Sequence, residues 1–86
     1  MSLRSPVTIQ FLDSTRAVAT GDFTILGPRV DAVLDALANN GIMATAVHSH
    51  MIGEQPTTYY VHFWADGRPA DVLRGLRAAS DAGRTR

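Results

Sequence analysis

The sequence contains no cysteine, no lysine and no hydrophobic run long enough to cross a bilayer. Without cysteine the chain forms neither a disulfide nor a thiolate metal site, so imidazole and carboxylate remain as its strong metal ligands. A membrane-spanning helix needs about 20 mainly apolar residues, and no stretch of this chain approaches that length. We therefore predict a soluble protein with no membrane partner, and the composition leaves its compartment open.

An excess of charge of one sign is also missing. Eight basic residues, all of them arginine, balance eight acidic residues, and no run of like charge occurs. Nucleic-acid binding normally requires a cluster of basic residues on one face of a domain. The composition therefore predicts that the chain does not bind nucleic acid.

The chain has only 86 residues, which fits one domain spanning residues 1–86. A chain this short buries only about 60% of its unfolded surface, so its core is marginal unless a disulfide, a metal or a partner chain adds stability. Because disulfides are excluded, we expect either a metal bound by His, Asp or Glu side chains or association with another chain.

Four segments have the apolar–polar alternation or the β-branched and aromatic content of strands. The predicted strands are residues 6–12, 16–26, 42–51 and 57–64. Gly21 and Asp22, in the middle of the second segment, predict a bulge or a bend. The loop at residues 53–56 is short enough to join the last two strands into an antiparallel hairpin.

Two segments have the spacing of amphipathic helices. The first begins at Pro28, carries Asp31 in its first turn and ends at Asn39-Asn40-Gly41, which supplies a left-handed cap. The second begins near Pro69, and its predicted buried stripe is Val72, Leu73, Leu76 and Ala79.

The order of these elements is strand, strand, helix, strand, strand, helix. It predicts an α+β fold with a four-stranded, mainly antiparallel sheet and two helices on one face, of the ferredoxin-like or split βαβ type. The opposite face of the sheet is then uncovered.

All three histidines lie in the predicted hairpin. Strand side chains alternate between faces, so His48 and His50 share one face at a spacing of about 7 Å. The same alternation groups His62 with Tyr60 and Trp64, on the face turned away from the helices. The more apolar set of Val47, Val61 and Phe63 is assigned to the helix side. In the register that sets His48 opposite His62 and His50 opposite Tyr60, three imidazoles converge there, whereas a slip of one residue removes His62.

This histidine patch has the donor set of a metal site. Neutral imidazoles of His48, His50 and His62 would hold a divalent transition metal, zinc first, and the ion would acidify a bound water or polarise a carbonyl. Glu54, in the loop between the two strands, is the predicted fourth ligand or catalytic general base.

The same residues allow two other interpretations. The histidines can be hydrogen-bonded structural residues of a non-catalytic oligomerisation or ligand-binding module. They can also transfer protons without a metal, with His48 or His62 acting together with Glu54. The predicted contacts to a small-molecule ligand are Tyr60, Trp64 and Arg74, of which Arg74 would reach an anion held near the hairpin.

The uncovered face of the predicted sheet is apolar in places. Monomeric proteins seldom expose a large apolar patch. We therefore predict a homodimer, formed sheet against sheet or by a shared edge, with the histidines at or beside the interface. The apolar residues assigned to this face are Ile42, Ala44, Ala46, Tyr60 and Trp64.

Several blocks of the sequence resemble one bacterial family. They include residues 21–26, 46–56, 61–65 and 73–79, with the His-x-His-Met and His-Phe-Trp blocks the most specific. Over about residues 17–82 the chain is similar to the LppY/LpqO family, a domain of unknown function. In that family the unit typically occurs twice in one longer chain and some members resemble exported lipoproteins, whereas this sequence has one copy and no lipobox cysteine. The resemblance implies no particular reaction.

Overall fold

The computed structural model describes residues 6–49 and 51–84. All neighbouring strands are antiparallel, in the sheet order β1-β2-β4-β3. The predicted α+β fold, a four-stranded antiparallel sheet with two helices, is confirmed. The elements are β1 (Val7–Asp13), β2 (Arg16–Leu26), a 3₁₀ turn (Gly27–Arg29), α1 (Val30–Asn39), β3 (Met43–Ser49), β4 (Thr58–Gly67) and α2 (Pro69–Arg84).

The core lies between the two central strands and both helices. Phe23 of β2 and Phe63 of β4 stack with their ring centroids 5.2 Å apart. Val33 and Leu37 of α1 are completely buried against the same cluster. Both helices therefore cover one side of the sheet, and no helix among residues 6–49 and 51–84 is long and apolar enough to cross a membrane.

The other side of the sheet has no helix against it in the described part of the chain, and we call it the open face. Residues paired across neighbouring strands share a face. The ladder between β2 and β4 pairs Thr20 with Trp64, Asp22 with His62 and Thr24 with Tyr60. Those six residues, together with Ala46 and His48 of β3, lie on the open face.

The end of α1 has the predicted left-handed cap. Gly41 has a φ of 70°, which is a conformation that only glycine adopts without strain. Its N–H donates to the Ala38 carbonyl at 3.1 Å, and the N–H of Ile42 donates to the Leu37 carbonyl at 2.9 Å. These bonds satisfy the last carbonyls of the helix and turn the chain back into β3.

The predicted bulge at Gly21 and Asp22 is wrong, because β2 is one continuous strand. Residues 17–26 pair with β4 in unbroken register. The glycine serves a different purpose, since a Cβ at Gly21 would clash with the Pro6 carbonyl oxygen and lie 2.9 Å from the Cα of Val7. Gly21 therefore allows the start of β1 to approach β2 closely.

Gly21→Ala is expected to lower the free energy of unfolding by about 1–3 kcal/mol, because the added methyl group overpacks against backbone. Gly67→Ala is the control, since its Cβ would make an ordinary contact of 3.7 Å with Val72. Urea denaturation followed by circular dichroism measures both variants. A Gly21→Ala protein as stable as the unsubstituted protein would contradict this account of the close approach.

The irregularity expected in β2 occurs instead in β3. Ala44 pairs with Phe63 and Ala46 pairs with His62. The step from Ala44 to Ala46 on β3 therefore spans two residues, whereas the matching step from Phe63 to His62 on β4 spans one. Thr45 is the inserted residue of a bulge. Strand alternation is interrupted at this point.

The bulge changes which β3 residues face the helices. Ile42 is only 5% exposed and belongs to the core, and Ala44 shares the helix side with its partner Phe63. Ala46 and His48 lie on the open face. The prediction that all four residues share the open face is wrong for Ile42 and Ala44, so this face is less apolar than expected.

The buried stripe of α2 differs from the prediction at one position. Leu73 is 46% exposed, and Gly75 is buried together with the predicted Val72, Leu76 and Ala79. A Cβ at Gly75 would lie 2.7 Å from the Ile42 side chain. The glycine permits α2 to pack closely against Ile42. This contact turns the Gly75 side of the helix towards the core and leaves Leu73 exposed.

Candidate functional site

His62 is held by a carboxylate on the neighbouring strand. Asp22 is its direct partner in the ladder between β2 and β4, and the Nδ1 atom of His62 lies 2.8 Å from Oδ1 of Asp22. An ionised carboxylate only accepts hydrogen bonds, so Nδ1 carries the hydrogen and donates. In the neutral ring the lone pair therefore lies on Nε2, and both side chains are part-exposed on the open face.

His48 is oriented in a comparable way. Its Nδ1 atom lies 3.3 Å from the backbone oxygen of Ser49, and a carbonyl oxygen also only accepts. The ring tilts against Tyr60, with the centroids 5.1 Å apart. Both described imidazoles thus donate from Nδ1 and present Nε2 as the acceptor.

His48 and His62 are diagonal neighbours on the open face. His48 pairs with Tyr60 and His62 pairs with Ala46, so the direct pairing of His48 with His62 considered from the sequence is wrong. The register differs by two residues, and an even shift keeps both rings on one face. Diagonal neighbours of this kind lie about 7–8 Å apart. The third predicted ligand, His50, lies outside the described residues.

The open face combines these imidazoles with a carboxylate and a phenol. Within residues 6–49 and 51–84, no group of three His, Cys, Asp or Glu side chains is arranged to hold a metal ion. The Nε2 atoms of His48 and His62 are the imidazole donors on this face, and the Asp22 carboxylate orients the ring of His62.

Sequence reasoning missed Asp22 because the glycine before it indicated a bulge or a bend in the strand. A signal was nevertheless present. Thr20, Asp22 and Thr24 alternate with Gly21 and Phe23, which is the pattern of a strand with one polar face. The side chain of an acidic residue in the middle of such a polar strand lies beside its cross-strand partner, which for Asp22 is His62.

Glu54 lies in the loop before β4, and its side chain contacts Thr58, the first residue of that strand. Its Oε1 atom accepts hydrogen bonds from the backbone N–H of Thr58 at 3.0 Å and from the Thr58 hydroxyl at 2.6 Å. Thr58 precedes His62 by four residues, a distance of about 13 Å along a strand. These contacts assign Glu54 a part in closing the loop, and its role as ligand or general base stays a prediction.

Glu54→Ala is expected to lower the free energy of unfolding by about 1–3 kcal/mol, because two donors of a buried threonine would lose their acceptor. Thr58 is 2% exposed, so water cannot readily replace the carboxylate. Glu54→Gln keeps an acceptor oxygen and is expected to lose much less. Chemical denaturation compares the variants, and equal losses in both would show that the hydrogen bonds to Thr58 are not the cause.

The three predicted ligand contacts are separated by the sheet. Tyr60 and Trp64 lie on the open face, with Trp64 45% exposed. Arg74 lies on α2, where it donates to Asp71 at 3.1 Å. Because α2 packs on the opposite side of the sheet, Arg74 lies apart from Tyr60 and Trp64, and its contact with an anion stays a prediction.

A second carboxylate on the open face belongs to a separate ion pair. Arg16 donates from Nε and Nη2 to the two oxygens of Asp66 at 2.9 Å and 2.7 Å. The hydrogen bond from Arg16 lowers the pKa of Asp66 below its ordinary value. Asp66 follows His62 by four residues, about 13 Å along the strand, so it does not take part in orienting that imidazole.

The chain was compared with known proteins. The family model described as "Domain of Unknown Function (DUF1259)" matches residues 1–82. No curated protein and no solved structure matches the chain. The matched range includes the whole sheet and most of α2, so the histidines and Asp22 lie within the family unit.

Proposed function

Since the chain belongs to the family described as a domain of unknown function (DUF1259), we propose its function from the open face itself. This face binds a divalent transition metal, zinc first, through the Nε2 atoms of His48 and His62. His50, identified from the sequence, is the third ligand. The resemblance to the LppY/LpqO family stays a prediction.

The proposal rests on the hydrogen bonds that orient the rings of His48 and His62. Metal-binding histidines usually donate their other ring N–H to a carboxylate or a backbone carbonyl, which fixes the tautomer and makes the ligating nitrogen more basic. His62 donates to the Asp22 carboxylate, and His48 has the Ser49 carbonyl as its acceptor. Both rings therefore leave Nε2 on the open face for a ligand.

A metal held here would act as a Lewis acid or lower the pKa of a bound water. The residues of this chain would supply its orientation. Asp22 holds the His62 ring from one side, and the Tyr60 ring supports His48 from the other. Tyr60 and Trp64 would offer a phenol and an indole to a small molecule bound beside the ion.

The test is a titration of the protein with zinc chloride alone, after purification without a nickel column. We expect close to one equivalent of zinc to bind and the melting temperature to rise, as it does for any ligand specific to the folded state. His48→Ala and His62→Ala should each lose most of this binding. Met43→Ala, an exposed change on β3, is the control. Unchanged binding in both histidine variants, or no zinc binding by the unsubstituted protein, would refute the metal site.

A second candidate is a non-catalytic module that binds a small ligand or a partner chain, with the histidines in structural roles. It is supported by the contacts that His62 makes to Asp22 and His48 makes to Tyr60, since these engage both rings within the protein. This candidate predicts that His62→Ala lowers the stability of the domain equally with and without zinc. The metal proposal predicts a larger loss when zinc is present.

A further inference from the structure

The strand β1 forms an edge of the sheet with little to prevent another chain from pairing with it. From Val7 to Leu12 it contains no charged residue and no proline. Phe11 is 58% exposed and Leu12 is 47% exposed. Natural edge strands usually carry charges, prolines or bulges that block pairing. In β1 the register shift lies at the turn, between Phe11 and Asp13, so the strand before it is regular.

The opposite edge, β3, is protected in one of these ways. Its bulge at Thr45 lies in the middle of the strand, where it bends the edge and interrupts the row of backbone groups. Of the two edges of the described sheet, β1 is therefore the better template for a further strand.

Hydrogen bonds at the start of β1 reveal which of its backbone groups point outward. The N–H of Asp22 donates to the carbonyl of Pro6 at 3.1 Å, and this contact continues the register that pairs Val7 with Gly21. Backbone groups alternate in direction along an antiparallel strand. The N–H and C=O groups of Val7, Ile9 and Phe11 consequently point away from β2.

We propose that two copies of this chain pair through β1, antiparallel, about a twofold axis at Ile9. The outward-pointing residues are evenly spaced about Ile9, so a twofold axis there maps the set onto itself. Val7 then lies opposite Phe11 of the partner subunit, and the outward backbone groups of both strands form a ladder. The occupant is a second copy because self-pairing about Ile9 sets an apolar side chain opposite an apolar side chain at all three outward positions and covers the exposed Phe11.

Side chains on the helix side favour the same pairing. Val7, Ile9 and Phe11 share that side with Ala17 and the other small residues of β2 opposite them, and Phe11 has most of its surface exposed. In the dimer each Val7 packs against the partner's Phe11, which removes apolar surface from water. The two sheets join into one, with the β3 strands and their histidines at its far ends. This assembly does not depend on the metal proposal.

Light scattering combined with size exclusion tests the interface from micromolar to millimolar concentration. The unsubstituted chain is expected to have twice the chain mass at the upper end of this range. Phe11→Lys should have the mass of a single chain, because it places a charge on the edge and removes the contact with Val7. Met43→Lys introduces the same charge on the β3 edge and should leave the dimer unchanged. A single-chain mass for the unsubstituted protein throughout, or a monomer produced by Met43→Lys and not by Phe11→Lys, would overturn the proposal.

Cross-linking gives an independent readout of the register. The chain has no cysteine, so a single introduced thiol reports one position. Ile9→Cys places two thiols across the axis, with Cα atoms about 5.5 Å apart, and a short thiol-specific cross-linker should join the chains in high yield. Val7→Cys, on the same side of the strand, places its thiols about 13 Å apart and should give little product. Efficient cross-linking at Val7 with none at Ile9 would rule out this register.

Discussion

Phe63→Ala is expected to destabilise the domain severely and to lower its melting temperature. Phe63 is completely buried and stacks on Phe23 with the ring centroids 5.2 Å apart. Truncating a buried phenylalanine costs about 3–5 kcal/mol. A domain of this size typically has a total stability of roughly 4–13 kcal/mol, so this single change removes a large part of it.

The neighbouring residue provides a matched control. Trp64 is also aromatic, but its side chain lies on the open face and is 45% exposed. Trp64→Ala should therefore cost far less than Phe63→Ala. Urea denaturation and thermal melting, both followed by circular dichroism, measure the two variants. If Trp64→Ala were as destabilising as Phe63→Ala, the assignment of the two faces of β4 would be wrong.

Asp22→Ala is expected to weaken zinc binding about 10–100-fold, the usual effect of removing the partner of a metal-binding histidine. The carboxylate accepts the hydrogen bond from Nδ1 of His62, and without it the ring loses its fixed orientation. Asp22→Asn keeps an acceptor oxygen without the negative charge and should have a smaller effect. Isothermal titration with zinc chloride measures the affinity of each variant.

Asp66→Asn is the control for charge on the open face. Asp66 lies on the same strand as His62 and is engaged by Arg16, so its loss should leave zinc affinity unchanged. Melting temperatures recorded without zinc separate effects on binding from effects on folding. Equal affinity for zinc in Asp22→Ala and the unsubstituted protein would exclude Asp22 from the site.

The prediction of the elements succeeded where the signal was local. The spacing of Val33 and Leu37 indicates an amphipathic helix, and Gly41 marks its end, because both features depend only on residues within a few positions. Alternation in β4 correctly assigns Val61 and Phe63 to the helix side. The errors at Gly21 and Leu73 have one cause, because each position is decided by a contact with residues distant in sequence. Gly21 lies against the start of β1, and the close packing of α2 on Ile42 leaves Leu73 exposed.

The sequence by itself determined the number and order of the elements, the absence of disulfide and thiolate chemistry, and the face of β4 that carries His62. Only the tertiary structure decided the register of the strands, the bulge at Thr45 and the pairing of His62 with Asp22, which are 40 positions apart. Side-chain periodicity is set by the local backbone geometry of a strand. Register is set by packing and hydrogen bonding between strands. The identity of one residue therefore does not determine which residue pairs with it on the next strand.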